Sequence, residues 1–286
     1  MTRRSIRFVL DGRVVTLDNV PATRTVLEYL REDRQRTGTK EGCAEGDCGA
    51  CMVAVGTLEG DGVCFRPINA CIQFLVALDG KALVTVESLA AGGTLHPAQH
   101  AMIDCHGSQC GFCTPGFVMT LFALHATADT APARTDIDDA LAGNLCRCTG
   151  YRPIVDAAET MFAATDWTPP WGSDAALAEQ LRDIAPTDTL VVDAPTGRLI
   201  APASVDALAA AYLAEPDATL VAGSTDVGLW VTKQYRELGT IIAIADVPEL
   251  RTLTVSAAGI TAGATVTLAD LMPPLTALYP AFTSML

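Results

Sequence analysis

The 286-residue sequence predicts an α+β protein of several domains. Three observations lead to this prediction: short strand patterns fill the first 88 residues, short helical patterns follow, and strand and helix patterns alternate after residue 190. The length allows two or three domains, and half of the residues are apolar, which is enough for buried cores. We divide the chain into domains at 1–88, 89–165 and 190–286, with a linker at 166–189.

The first domain begins with a predicted β-hairpin. Residues 6–10 and 14–17 are apolar runs, and Asp11-Gly12 between them is a two-residue turn signal. A helix is expected at 25–30, because Val26, Leu27 and Leu30 share one helical face. Further strands are expected at 52–58, 63–67 and 82–87. A small mixed sheet with one helix across it fits this order.

The second domain consists of helical segments. We predict helices at 97–105, 115–126, 136–142 and 153–163, and three of them begin with proline, which suits the first turn of a helix. Residues 166–173 are linker-like in composition, but their two tryptophans indicate a linker that docks on the protein. The four short helices predict a compact bundle.

The third domain alternates strands and helices. Strands are expected at 190–192, 219–221 and 240–245, and helices at 204–214 and from about Ser224. The pattern is typical of an α/β or α+β domain. Since no stop signal precedes Leu286, we expect the sequence to be part of a longer protein.

Charge and cysteine usage exclude several classes of protein. A net charge of −14 argues against nucleic acid and anionic membrane surfaces as partners, because both select a basic face. The apolar run at 6–10 is too short for a secretory signal, and Arg7 interrupts it; no stretch is long enough to span a membrane. Ten cysteines without an export signal predict reduced thiols in the cytoplasm, and therefore metal ligation rather than disulfides.

The first cysteine set lies in a glycine-rich loop at residues 39–51. Cys43, Cys48 and Cys51 have the spacing of a plant-type 2Fe–2S ferredoxin, which requires a fourth cysteine further along the chain. Glycines allow backbone N–H groups to turn toward the sulfurs. Cys71 is the expected fourth ligand, with Cys64 as its rival.

The second cysteine set is formed by Cys110, Cys113, Cys146 and Cys148. Both pairs precede predicted helices, whose free N–H groups favour an anionic metal–thiolate centre. An all-cysteine zinc site is the alternative, although its pairs usually have C-x2-C spacing. The remaining Cys64 and Cys105 are expected to be buried inert thiols, and the four histidines to be surface or capping residues.

A candidate phosphate-binding turn follows the strand at 219–221. It is formed by Leu220, Val221, Ala222, Gly223, Ser224, Thr225, Asp226 and Val227. A glycine between a strand and a helix start lets the backbone approach a phosphate group, although an ordinary Ser- or Asp-capped turn has the same pattern. It is not the G-x-G-x-x-G turn of a Rossmann fold.

These segments together resemble the molybdenum hydroxylases. The resemblance rests on Cys43-x4-Cys48-Gly-x-Cys51 with Cys71, on Gln109-Cys110-Gly111-Phe112-Cys113-Thr114-Pro115-Gly116, and on Cys146-Arg147-Cys148-Thr149-Gly150-Tyr151. It implies a β-grasp ferredoxin-like domain and a four-helix domain, each with one 2Fe–2S cluster, and then the N-terminal part of an FAD-binding domain in which residues 220–227 contact the flavin. In that family the position of Gln109 faces the molybdopterin cofactor.

The resemblance also implies a function. The domain order is most similar to the small subunit of bacterial members that hydroxylate xanthine or hypoxanthine on a large molybdopterin-binding subunit, two of each forming a heterotetramer. Electrons would pass through the second cysteine set, then the first, to FAD and NAD+, so this chain would hold no catalytic residue for the substrate. Since the family's flavin domain extends beyond residue 286, we expect this chain alone to retain little flavin. The alternatives are a sibling enzyme for an aldehyde or N-heterocycle, or a zinc-stabilised interaction module.

Overall fold

The computed structural model describes residues 2–90, 92–128, 130–163 and 167–285. The strands are β1 Thr2–Arg3, β2 Ser5–Leu10, β3 Arg13–Asp18, β4 Met52–Glu59, β5 Gly62–Asn69, β6 Ala82–Val84, β7 Thr189–Ala194, β8 Gly197–Ala201, β9 Thr219–Val221, β10 Thr240–Ala243, β11 Leu253–Ser256 and β12 Gly259–Ala262. The helices are α1 Val26–Glu28, α2 Pro97–Asp104, α3 Thr114–Thr127, α4 Arg134–Leu141, α5 Arg152–Thr160, α6 Asp174–Ile184, α7 Val205–Ala214, α8 Val227–Thr232, α9 Leu268–Leu278 and α10 Pro280–Thr283.

A five-stranded mixed sheet is the centre of the first domain, with the strand order β3-β2-β6-β4-β5. The predicted hairpin is confirmed: β2 and β3 pair antiparallel, and Asp11 and Gly12 at the turn have φ values of 53° and 70°. Strands β2 and β6 are parallel, whereas β4 pairs antiparallel with both β5 and β6. The fold is therefore the mixed sheet that the sequence predicts.

Both faces of this sheet are covered. On one face, Ile6, Phe8 and Leu10 pack with α1. Helix α1 is shorter than predicted and continues as a π-helical turn at Tyr29–Asp33. On the other face, Val9 and Ala54 pack with residues of the helical domain. The strand expected at 82–87 ends at Val84, and a 3-10 turn at Val86–Ser88 replaces its second half.

The four predicted helices of the second domain are present as α2 to α5, each within a few residues of the predicted bounds. Pro97 begins α2, and Pro115 and Pro153 lie in the first turns of α3 and α5. Helix α3 has fully buried residues all around its central turns and packs between the sheet and the other helices. This arrangement brings the loop before α3 close to the loop at residues 39–51.

The segment between the second and third domains contains a helix that the sequence interpretation missed. Helix α6 has Ser173 as its N-cap and buries Leu177, Leu181 and Ile184. Trp171 is buried, and the Trp167 indole donates to the carbonyl of Leu89, so the segment is docked on the first two domains. Residues 164–166, where the predicted linker begins, lie outside the described part of the chain.

The third domain has a five-stranded sheet in the order β1-β7-β8-β10-β9. The expected strands are present, and β8 and a β11–β12 hairpin were not predicted. Strand β1, at the start of the chain, pairs parallel with β7 and ties the third domain to the first. The buried residues Leu190, Leu199, Val221 and Ile241 share a core with the first sheet. In contrast, α7, α9 and α10 bury no residue.

None of the helices described here is both long enough and apolar enough to cross a membrane.

Candidate metal centres and flavin segment

The loop at residues 39–51 turns its backbone toward a sulfur. The amide N–H groups of Glu45 and Cys48 both donate to Cys43 Sγ at 3.4 Å. The turn requires left-handed backbone at Ala44, Gly46 and Gly49, with φ values of 55°, 85° and 69°. Such convergent N–H groups stabilise a thiolate. The predicted role of the glycines is thereby confirmed.

The first set of four thiols is arranged as two close pairs. The side chains of Cys43 and Cys48 lie within hydrogen-bond reach of each other, and so do those of Cys51 and Cys71. Cys71 follows β5 and is buried beside Cys51. Asn69 holds this end of the strand against the loop, because its amide donates to the carbonyl of Gly46 at 2.8 Å. The structure therefore brings together the four cysteines that we predicted.

Cys64 lies within β5 and pairs with Thr57 on β4, whereas Cys71 follows the end of β5. Burial raises the pKa of the Cys64 thiol, and so does the nearby Glu59. The groups that act on this thiol are Glu59, Arg66 and Asp270 rather than the thiols of the first set. Of the two candidates for the fourth position, the structure places Cys71 in the group. The expectation that Cys64 and Cys105 are buried is wrong, because both are only half-buried.

The pKa values of the first set diverge within each pair. Burial raises the pKa of the Cys43 thiol, but the N–H groups of Glu45 and Cys48 outweigh it, and the net pKa is lowered. The hydrogen bond between Cys51 and Cys71 lowers the pKa of Cys51 and raises that of Cys71. In each pair, one thiol therefore has a lowered pKa and its partner a raised one.

The second set also forms two pairs: the side chains of Cys113 and Cys146 interact, and those of Cys110 and Cys148 interact. Cys113 is the N-cap residue of α3, which confirms the predicted position of the first pair at a helix N-terminus. Burial, followed by the hydrogen bond to Cys146, raises the pKa of Cys113 to about 12. Cys146 is buried, whereas Cys110 and Cys148 are exposed.

Residues after Cys146 shape the second loop. Thr149 directs both its hydroxyl and its backbone N–H at Cys146 Sγ, at 3.2 and 3.5 Å. Despite burial, these two donors lower the pKa of Cys146. The hydroxyl of Tyr151 accepts from the backbone N–H of Cys146 at 2.9 Å, with Tyr151 itself in a left-handed conformation at φ 68°. The roles of Thr149 and Tyr151 were not predicted from the sequence.

The pairing of the thiols distinguishes between kinds of metal centre. A zinc ion requires four ligands around one point, whereas a 2Fe–2S cluster takes two thiolates on each of two iron atoms. Within the described ranges, no three cysteine, histidine or carboxylate side chains converge on a single-ion position. Each set consists of two hydrogen-bonded pairs of thiols that lie near each other. This arrangement fits a binuclear cluster.

The two cysteine loops are in direct contact. The backbone N–H of Leu145, which precedes Cys146, donates to the carbonyl of Cys48 at 3.0 Å. The neighbouring Asn144 is buried; its amide donates to the carbonyl of Gly49 at 3.3 Å and its oxygen accepts from Thr120 at 2.8 Å. One hydrogen bond therefore joins a residue of the first set to the neighbour of a residue of the second.

The flavin segment at residues 220–227 leads from β9 into α8. A Cβ at Gly223 would meet no atom within 4 Å, so this backbone is open to an approaching group. Ser224 is buried in a left-handed conformation at φ 59°, and its carbonyl accepts from Gly228 at 2.7 Å. Asp226 is the N-cap residue of α8, but its side chain makes no capping bond. The Asp226 side chain therefore does not cap α8, and the backbone at Gly223 is open; the contact of residues 220–227 with flavin stays a prediction.

Three domain families match successive parts of the chain. Residues 8–74 match the 2Fe-2S iron-sulfur cluster binding domain, and residues 85–159 match a second [2Fe-2S] binding domain. Residues 195–286 match the FAD binding domain in molybdopterin dehydrogenase. The chain thus contains two 2Fe–2S binding domains and an FAD-binding domain, and the interpretation as a zinc-stabilised module is wrong.

The similar proteins are large oxidoreductases. A xanthine dehydrogenase from Blastobotrys adeninivorans is 45% identical over 54% of this chain, and aldehyde oxidase 2 from Mus musculus is 32% identical over 93% of it. An aldehyde oxidoreductase structure from Desulfovibrio gigas is 35% identical, covers 56% of this chain and 17% of its own, and has a TM-score of 0.50. The chain spans only 11% and 23% of the length of the first two proteins.

Proposed function

We propose that this chain relays electrons from a molybdenum-containing partner, through two 2Fe–2S clusters, to FAD. The chain corresponds to the iron–sulfur and flavin region of molybdenum hydroxylases. The observation that carries the proposal is the hydrogen bond from Leu145 to Cys48, because it joins the two cysteine sets through the backbone.

The proposed ligands are the eight paired cysteines. Cys43 and Cys48 would hold one iron of the first cluster, and Cys51 and Cys71 the other. In the second cluster, the pairs are Cys113 with Cys146 and Cys110 with Cys148. A bound 2Fe–2S cluster accepts and releases one electron at a time. The residues of the chain position the thiolates, direct N–H groups at Cys43 and Cys146, and bury Cys51 and Cys71.

The proposed direction of transfer is supported by the position of the two sets. Cys110 and Cys148 are exposed at the surface, together with Gln109 and the large apolar side chains of Phe112 and Leu145. An exposed apolar patch around a redox centre suits the docking of a protein partner. Cys51 and Cys71 are buried in the first domain, against which the flavin-binding domain packs. The second set is therefore proposed to receive electrons, and the first to pass them to the flavin held by residues 220–227.

We assign the substrate of the partner as xanthine or hypoxanthine and the final acceptor as NAD+, on the resemblance to xanthine dehydrogenase. The partner would be a large molybdopterin-binding subunit in a heterotetramer of two small and two large subunits, located in the cytoplasm. The similarity to aldehyde oxidases supports an aldehyde or N-heterocycle substrate as the second candidate. Turnover of the assembled enzyme with each substrate class distinguishes the two.

The relay is tested by electron paramagnetic resonance (EPR) spectroscopy of the dithionite-reduced chain and by metal analysis. We expect two distinguishable 2Fe–2S signals and about four iron atoms and four sulfides per chain, two for each of the matched domains. A single signal, or zinc in place of iron, would refute the proposal. Flavin is quantified in the same sample, and little is expected from this chain alone.

A further inference from the structure

Helix α8 of the flavin-binding domain lies against the cysteine loop of the first domain. At its start, Gly228 is so close to the carbonyl of Ile72 that a Cβ would be 2.5 Å from that oxygen. At its end, the Thr232 hydroxyl donates to the carbonyl of Ala44 at 2.8 Å. The next residue, Lys233, donates through Nζ to the carbonyl of Cys43 at 2.5 Å. The helix thus contacts the chain beside both Cys43 and Cys71.

These contacts hold the most constrained part of the loop. Ala44 has a left-handed backbone at φ 55°, and the adjoining turn directs two N–H groups at Cys43 Sγ. A left-handed residue other than glycine costs about 1–2 kcal/mol and needs support from its surroundings. Within the described residues, the side chains of Thr232 and Lys233 give that support at two successive carbonyls, although they lie 188 and 190 positions away in sequence.

Lys233 also adds a positive charge to an acidic loop. Glu41, Glu45 and Asp47 lie between or beside the cysteines, and Lys40 is the basic residue of this stretch. Lys40 donates to the carbonyl of Thr37, outside the turn. Lys233 Nζ lies 3.4 Å from a carboxylate oxygen of Glu45, which offsets part of its charge, but its hydrogen bond is to the residue that bears the thiol.

We propose that Lys233 is a positioning residue for the first cluster, through which the flavin-binding domain raises the reduction potential of that cluster. One-electron reduction adds a negative charge to the thiolate centre, and a fixed cation nearby favours the reduced form. The proposal rests on the proposed function, since it requires a cluster on Cys43. Docking of the flavin-binding domain then sets the properties of the centre that delivers electrons to it.

The test is an EPR-monitored redox titration of the 286-residue chain, purified anaerobically with its clusters. The variants are K233M, which removes the charge; K233R, which keeps it; and T232V, which removes the adjacent bond but no charge. Arg236 provides the matched control for a nearby positive charge: it lines the same cavity as Ala44 and Cys71, but its guanidinium lies on the face of Trp230, at 5.1 Å from the ring centroid. We expect K233M to lower the midpoint potential of one cluster only, K233R to restore it, and T232V to lower it less than K233M. R236M should lower that potential less than K233M does.

The inference is overturned if K233M leaves both potentials at the wild-type values, shifts both equally, or shifts one no more than R236M does. Should K233M fail to accumulate, K233Q replaces it in the titration with the same expectations. Failure of the proposed function would give a different result, because the wild-type chain would then not show two distinguishable 2Fe–2S signals. Two wild-type signals with an unshifted K233M would overturn this inference alone.

Discussion

The two cysteine sets have four thiols each, but different secondary structure holds them. Three members of the first set lie in a glycine-rich loop and the fourth, Cys71, follows strand β5; Cys51 and Cys71 are buried. The second lies before the helices α3 and α5, and two of its members, Cys110 and Cys148, are exposed. In the first set, the N–H groups of Glu45 and Cys48, which lie in a tight turn, donate to Cys43 Sγ. In the second set, the N–H group of Thr149 donates to Cys146 Sγ. Equivalent chemistry therefore does not require an equivalent fold.

The difference in exposure fits the two roles proposed above. A centre proposed to exchange electrons with another subunit would lie close to the molecular surface, and a buried thiolate is less accessible to oxidants than an exposed one. The contact from Leu145 to Cys48 connects the second set, which has two exposed members, with the first, which has none. The following variants test how independent the two sets are, beginning with the largest effect.

Loss of a ligand should remove one cluster and leave the other. C71S should abolish one of the two EPR signals, because Cys71 forms a pair with Cys51, and C148S should abolish only the other signal. C64S is the matched control. Cys64 lies on β5, the strand that precedes Cys71, but it is not one of the four paired cysteines, so C64S should retain both signals. If C64S lost a signal and C71S kept both, the assignment of the fourth ligand would be wrong.

Helix α3 packs so closely on the first cysteine loop at Gly116 that we expect no side chain to be tolerated there. A Cβ there would lie 2.0 Å from the carbonyl oxygen of Gly49, which is fixed backbone beside Cys48. We expect G116A to lower stability by about 1–3 kcal/mol or more, and to reduce the occupancy of both clusters. Thermal unfolding and iron content measure the two effects.

The control for this variant is G143A, in the same contact region. Its Cβ would meet only the flexible Met52 side chain, at 3.4 Å. The unfolding temperature of G143A should lie within a few degrees of that of the wild-type chain. Equal losses in G143A and G116A would show that the close approach of Gly116 to Gly49 is not what limits substitution here.

Asn144 should have a smaller effect, confined to stability. N144A leaves the buried Thr120 hydroxyl without its acceptor and removes the bond to Gly49, for an expected loss of about 1–3 kcal/mol. Both EPR signals should persist, since neither cysteine set loses a ligand. Replacing Ser108 by alanine removes an exposed hydrogen bond with Thr114 and should change the unfolding temperature little. An N144A chain as stable as S108A would contradict a structural role for the buried amide.

Local patterns predicted much of the site, and long-range contacts were missed. The spacing of the cysteines and the glycines around them indicated both sets, because ligand spacing and backbone freedom are local properties. The bond from Leu145 to Cys48 could not be predicted, since a backbone hydrogen bond leaves no mark on side-chain identity. The same holds for Lys233, one of many surface lysine and arginine residues until α8 is placed against the loop.

The fold shows the same division. The hairpin and the proline-initiated helices follow from turn and helix-start signals, but the pairing of Thr2–Arg3 with β7 depends on a partner 187 positions away in sequence. Helix α6 had a local signal that was overlooked: Ser173 caps it, and Leu177, Leu181 and Ile184 recur at helical spacing. The prolines and tryptophans just before it indicated a linker instead.

The last prediction concerns pH and the packing of the helical domain. His96 is buried as the N-cap residue of α2, with Nδ1 accepting from Ala98 and its ring in edge contact with His125 and Trp167. Burial, followed by the proximity of His125, lowers the pKa of His96 to about 3. In the unfolded chain a histidine has a pKa of about 6.5. Between these two values the unfolded chain binds more protons, so the stability contributed by neutral His96 is present above about pH 6.5 and is lost as the pH falls toward 3.

The variant H96N separates this titration from the capping role, because asparagine can accept the same N–H bond but does not ionise. The wild-type chain should lose at most about 1.4 kcal/mol for each pH unit below 6.5 through this group. Unfolding temperatures measured from pH 8 to 5.5 should therefore fall more steeply in wild type than in H96N. His125, whose pKa burial also lowers, remains in both chains and contributes a common slope. Parallel curves would show that His96 does not titrate on unfolding, and that the acid sensitivity belongs to the thiolates or to His125.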